Sequence, residues 1–391
     1  MVDLSDPALY ADGAPHALFA QLRDDEGVHA QALPDGRTTW WVLRHHDVQD
    51  VARHPLLYSS AKGGIVIEDL SEEQLAMLRQ TVLAMDPPKH TAMRKVLVPH
   101  FRARVMGQLE EQIRDVCRTT LDRVVGAGEC DLIHEVAAPL PTQVLGVLAG
   151  IPDDERAMVH ELAEQITGGA GPDGDGYTPS IKMALYGAQL AARRRIDPTP
   201  DIVTVLVETP FEGRHLEDIE IGSLLVQLVT AGNDTSRTLL GNTVDCLLDH
   251  PDQLEAIRKD ADLIPGAIEE VTRWANPLHY FRRTATAGAR LADVEVQDGD
   301  KVVMVYTAAN RDPRVFGDAE QFDIRRHPNP HVSFGFADHF CLGVHLARLL
   351  ARVFLAELLA AAPTIERTAP KERQPSTLTN GLTRLPVRLA H

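Results

Sequence analysis

Cys341 is the residue whose setting most plainly suggests chemistry. It closes the run Phe334-Gly335-Phe336-Ala337-Asp338-His339-Phe340-Cys341-Leu342-Gly343, a glycine-bearing loop that leads directly into an apolar stretch of helical periodicity, Leu342 to Ala361. Backbone N–H groups at a helix start favour an anion, so this placement biases Cys341 towards the thiolate, the form that binds metals. Three readings compete. Free cysteine packs well, and most lone cysteines are ordinary core residues. His339 and His345 flank Cys341 closely enough to suggest zinc, although no fourth ligand accompanies them. A thiolate on haem iron donates electron density to the metal and favours O–O cleavage, which makes the loop a candidate for oxygen chemistry.

Other polar residues fall at helical spacing. In Met85-Asp86-Pro87-Pro88-Lys89-His90-Thr91-Ala92-Met93-Arg94, His90 and Arg94 lie four apart and share a helix face. Ala231-Gly232-Asn233-Asp234-Thr235-Ser236 occupies the middle of a proline-free stretch, Leu216 to Asp249. There Gly232 removes a side chain, and the Thr235 hydroxyl can leave the helix ladder to open a groove. An acid beside that hydroxyl suits proton delivery, whereas the plainer reading is a bent helix with a polar edge. Glu270 and Arg273, three apart, form a pair worth only a few tenths of a kcal/mol on a solvated helix, about 0.2–0.5.

Taken together, these segments resemble the soluble bacterial members of the cytochrome P-450 superfamily of haem-thiolate monooxygenases, and the resemblance covers nearly the whole chain. The family's loop Phe-Gly-x-Gly-x-His-x-Cys-x-Gly is matched by Phe334, Gly335, His339, Cys341 and Gly343, with Ala337 in place of the second glycine. The resemblance implies haem b with Cys341 as axial ligand, and His90, Arg94, Arg283 and His339 on the haem propionates. It implies Ala231 and Gly232 beside the haem, Asp234 relaying protons to Thr235, and Ser236 standing where a second threonine is common. Glu270 and Arg273, with Arg326 of the Phe322-Asp323-x-x-Arg326 stretch, then become a structural cluster. A hydrophobic pocket is expected from Ile65, Val66, Leu228, Leu278, Tyr280 and Leu382. The implied reaction inserts one atom of dioxygen into a hydrophobic small molecule that is steroid, terpenoid, fatty-lipid or polyketide-like. The implied electron source is a separate ferredoxin and its reductase, with Lys95, Arg102 and Arg104 as a docking patch. The alternatives are a haem-thiolate enzyme that uses peroxide or needs no dioxygen, and a non-catalytic haem or small-molecule binding protein.

The elements that must position these residues are mostly helical. Periodicity predicts helices over Gln108 to Val125, Glu155 to Ile166 and Leu216 to Asp249, the last about 50 Å long at the usual rise. Strands are predicted at Thr38 to Leu43, Arg290 to Val296 and Lys301 to Tyr306, with a proline-rich run from Asp312 to Pro330 leading to the cysteine loop. This is a mainly α chain with small β-sheets, and the resemblance implies the cytochrome P-450 fold with the long central helix over the haem. Residues 1–391 are expected to form a single domain, with Gly168 to Asp175 as its most mobile loop. Acidic residues outnumber basic ones, 56 to 39, for a net charge of -17, which disfavours nucleic acid and anionic membranes as partners. The four cysteines are scattered without a Cys-x-x-Cys pair, and the N-terminus carries no export signal; both fit a cytoplasmic protein.

Overall fold

The computed structural model describes residues 2–168 and 176–390; nearly all of the loop expected at 168–175 therefore lies outside the described residues. Five strands form the largest sheet: β1 (Val28–Ala32), β2 (Thr38–Val42), β3 (Tyr58–Ser59), β4 (Tyr280–Ala285) and β5 (Lys301–Val305). Their order is β1-β2-β5-β4-β3, with β2 and β5 parallel and the other pairs antiparallel. The Thr, Trp and Val run near the N-terminus is thus completed by strands some 240 residues later (β4) and 260 residues later (β5). The strand expected at Arg290 to Val296 is instead a tight hairpin, Arg290–Leu291 against Val294–Glu295. Ala292 turns the chain there with φ +50°, a left-handed value that a continuous strand cannot hold.

Seven helices matter for the site: α1 (Lys89–Leu97), α2 (Pro139–Ala149), α3 (Arg156–Gly168), α4 (Tyr177–Ile196), α5 (Asp218–Asp249), α6 (Ile264–Trp274) and α7 (Val344–Ala361). The 32 residues of α5 start at a Glu217–Glu220 capping box and stop one residue short of the Pro251 that opens the next helix. From Thr238 to Leu247 every side of α5 is buried, so it is a core helix rather than an amphipathic one. It crosses α4 through paired glycines. A Cβ on Gly222 would stand 2.1 Å from the Ala184 carbonyl oxygen, and one on Gly187 would stand 2.8 Å from Gly222 Cα. Only missing side chains let these two backbones approach so closely. The stretch Leu132–Ala149 is apolar and long enough to cross a membrane, but 72% of it is buried inside the protein. It packs in the same apolar cluster as α4, α5 and α7.

Candidate active site

The cysteine loop is a turn built on two left-handed residues. Gly335 has φ +73° and Ala337 φ +54°, so the position that departs from the family's glycine keeps the glycine conformation. The loop is closed by Cys341 N–H donating to the Phe334 carbonyl at 2.7 Å. The final helix begins at Val344 rather than Leu342, so Cys341 does not sit on its first turn. The sulfur instead accepts from the Gly343 backbone N–H and faces the Arg94 and Arg348 charges. Burial outweighs them and pushes the Cys341 thiol up; coordination to a metal is what would hold it deprotonated. Arg348 also covers the Phe334 ring at 4.9 Å and grips Glu269 through two hydrogen bonds, fixing the loop's entry. Among the described residues no three His, Cys, Asp or Glu side chains cluster as a metal site, so the zinc grouping of His339, Cys341 and His345 has no geometry.

His90 and Arg94 from α1, Arg283 from β4 and His339 from the cysteine loop converge. The two imidazoles lie 4.0 Å apart, and burial is the first cause of their low basicity, about 4 for His90 and about 2 for His339. His90 is 1% exposed and neither of its ring nitrogens has a partner. Arg283 is buried and spends a hydrogen bond on the carbonyl of its own neighbour, Arg282. Orphaned buried donors cost roughly 1–3 kcal/mol each. Donors from three separate segments, His90 among them without a partner, fit a ligand that brings carboxylates, which is what the two propionates of haem are. Sequence reading missed Ser60, whose hydroxyl lies 3.3 Å from His339 Nε2, and Asp86, which holds the Ser60 N–H at 2.8 Å.

On α5 the turn around Ala231 is the one place where the middle of the helix faces open space: Ala231 is exposed, and Gly232, Asp234 and Thr235 are half-buried. Gly232 is needed for a different reason from the one expected. A Cβ there would meet Leu145 of α2 at 3.0 Å, so the glycine serves helix packing rather than clearing room for a ligand. Thr235 Oγ1 donates to the Ala231 carbonyl at 2.7 Å, so the hydroxyl is tied back to the ladder of a continuous helix instead of leaving it as expected. Asp234 does not bond to Thr235; it accepts from Arg237 at 2.5 Å. Burial raises the Asp234 carboxyl above the usual carboxylate range, with Arg237 acting against it.

The Glu270–Arg273 pair is wholly buried, with contacts of 2.8 and 2.7 Å. Arg326 reaches Glu270 at 3.3 Å, as expected, and Asn329 adds a bond at 3.1 Å that sequence reading missed. Arg273 also binds the carbonyls of Asn310, Ala319 and Gln321, tying the proline-rich run to α6. Of the expected pocket residues, Ile65, Val66, Leu228 and Leu278 are half-buried. Tyr280 and Leu382 are buried, and the Tyr280 hydroxyl accepts from the Ile67 N–H at 3.1 Å.

A family model described as Cytochrome P450 matches residues 191–380. The chain is 32% identical to a Steroid C26-monooxygenase of Mycolicibacterium smegmatis over 393 residues, covering 97% of this chain and 92% of that one. It is 35% identical to Cytochrome P450 107B1 of Saccharopolyspora erythraea over 388 residues, with 95% and 94% covered. Among solved structures, Mycobacterium marinum cytochrome P450 CYP268A2 in complex with pseudoionone superposes with a TM-score of 0.90 at 31% identity, covering 99% and 98%.

Proposed function

The chain belongs to the cytochrome P450 family, and we propose that the residues gathered around Cys341 hold its haem and feed it protons. It is a haem-thiolate monooxygenase acting on hydrophobic small molecules with dioxygen as co-substrate. When bound, haem supplies the iron at which dioxygen is reduced and one oxygen atom passes to the substrate. The observation that carries the site assignment is the buried, unpartnered His90, its ring 4.0 Å from that of His339. His90, Arg94, Arg283 and His339 donate to the propionates, while Phe334, Gly335 and Gly343 set the turn that presents the Cys341 sulfur. Ala231 leaves α5 bare beside the haem, while Gly232 lets that turn pack on Leu145 of α2. The Thr235 hydroxyl donates protons at the oxygen site once it turns from Ala231, with Asp234 resupplying it.

The substrate rests against Ile65, Val66, Leu228 and Leu278, an apolar wall suited to a steroid, terpenoid, fatty-lipid or polyketide-like skeleton. Electrons come from a separate ferredoxin and its reductase in the cytoplasm, the whole chain acting as one domain. Lys95, Arg102 and Arg104 are exposed and carry no ion pair among the described residues, which leaves them available to an acidic partner. Beside them opens a groove of about 240 Å³ lined by Ala103, His345, Arg348 and Arg352, the last three shortly after Cys341.

The test is turnover of purified holoenzyme with a ferredoxin system against turnover with peroxide. Substrates are first selected by spectral shift from a steroid, a terpenoid ketone, a fatty acid and a macrolactone. Ferredoxin-driven product is expected, and in Thr235→Ala the electrons should pass to peroxide with roughly tenfold or greater loss of product. Product with peroxide alone would favour the peroxide-using alternative, which the unbonded Asp234 and Thr235 would suit.

A further inference from the structure

Asp234 is turned away from the alcohol it is meant to serve, and what turns it is visible. Its Oδ1 accepts from Arg237 Nη2 at 2.5 Å, one turn along α5, and Arg237 Nη1 donates to Glu164 Oε2 on α3 at 3.0 Å. Glu164 is fixed in turn: its Oε1 accepts from Asn233 Nδ2 at 2.9 Å. Asn233, fully buried, accepts from Thr142 of α2 at 2.8 Å, and the Thr142 hydroxyl faces His160 Nδ1 of α3 at 3.0 Å. The network therefore ties the acid to two other helices and contains no link to Thr235, whose hydroxyl is spent on Ala231. The charged groups facing Asp234 are Arg237 from its own helix and Glu164 from α3, with His160 reached only through Thr142.

We propose that Arg237, anchored by Glu164 from α3, is a positioning residue that holds the Asp234 carboxyl away from Thr235, so that a neighbouring helix sets the supply of protons to the haem. The use of those protons rests on the monooxygenase reading; the hold on Asp234 does not. Moving a proton from Asp234 to Thr235 requires the carboxyl to leave Arg237, and α3 governs how readily Arg237 lets go. Burial already favours the protonated acid, and Arg237 opposes it, so loss of Arg237 frees the carboxyl and makes it easier to protonate.

The experiment is a pH titration of the Asp234 carboxyl by infrared difference spectroscopy on holoenzyme, the band being identified by its loss in Asp234→Asn. Arg237→Gln, which keeps the side-chain bulk, should move the midpoint up by about 1–2 pH units, and Arg237→Lys should leave it near the native value. An unmoved midpoint in Arg237→Gln overturns the proposal. Glu164→Gln should also move it up, because Arg237 loses its anchor. A downward move, the result of deleting a negative charge with the geometry intact, removes α3 from the account. In turnover, the pH profile of product per electron pair should shift with Arg237→Gln and not shift further when Asp234→Asn is already present. If the native enzyme forms no product, the monooxygenase reading fails while the titration still decides the positioning role.

Discussion

Ala337 holds a conformation that suits glycine, φ +54°, two residues after Gly335 at φ +73°. A Cβ in this region costs about 1–2 kcal/mol. Ala337→Gly is therefore expected to raise the unfolding free energy of the holoenzyme by about 1 kcal/mol in a denaturant titration, with the Cys341 spectrum unchanged. No gain would mean that the loop relaxes in solution. The substitution at 337 was legible in the sequence; its consequence was not, because a pattern shows that glycine is missing and not which φ the turn imposes. The same limit applies at Gly232, whose spacing on α5 was plain while its contact, Leu145 on another helix, was invisible. Arg237 lay within reach, three residues after Asp234 on one helix face, but Glu164 is 73 residues before Arg237 and only packing reveals it.

At the scale of elements, the long helix and the cysteine loop were readable because their periodicity and turn chemistry are local. The start of α7 was placed two residues early, since Leu342 and Gly343 continue the apolar pattern while the backbone still turns. The glycines that join α4 to α5 were not singled out, because glycine inside a helical pattern reads as a weakness until the partner helix is known. Gly222→Val would drive a side chain into the Ala184 carbonyl and should lower stability by several kcal/mol, about 3 or more, measured as the loss in thermal midpoint. Glu270 and Arg273 were visible as a spacing and became meaningful as a hub. With both fully buried, Glu270→Ala strands Arg273 without its counter-charge. We expect a cost of about 3–5 kcal/mol and a sharp fall in haem content per chain; a normal haem content would show that the carbonyls around Arg273 suffice.

For the whole molecule, the sheet that joins residues 28–59 to 280–305 was beyond local reading. Fold-wide burial also sets the response to acid. His279, 2% exposed and 3.0 Å from the Thr307 hydroxyl, has its basicity depressed by burial to about 3. The unfolded chain, with an ordinary histidine near 6.5, binds this proton first, so stability should fall as the pH drops from about 6.5 towards 3. In His279→Gln the slope of stability against pH in that window should be smaller; an identical slope would mean that His279 is solvated in solution. All of this serves one placement, a cysteine sulfur presented to haem iron, and the most direct measurement of it is the absorption spectrum of the reduced, carbon monoxide-bound protein. The native chain should give the red-shifted band typical of thiolate-ligated haem and Cys341→Ala should lose it, whereas a histidine-type band in the native protein would contradict the assignment of Cys341.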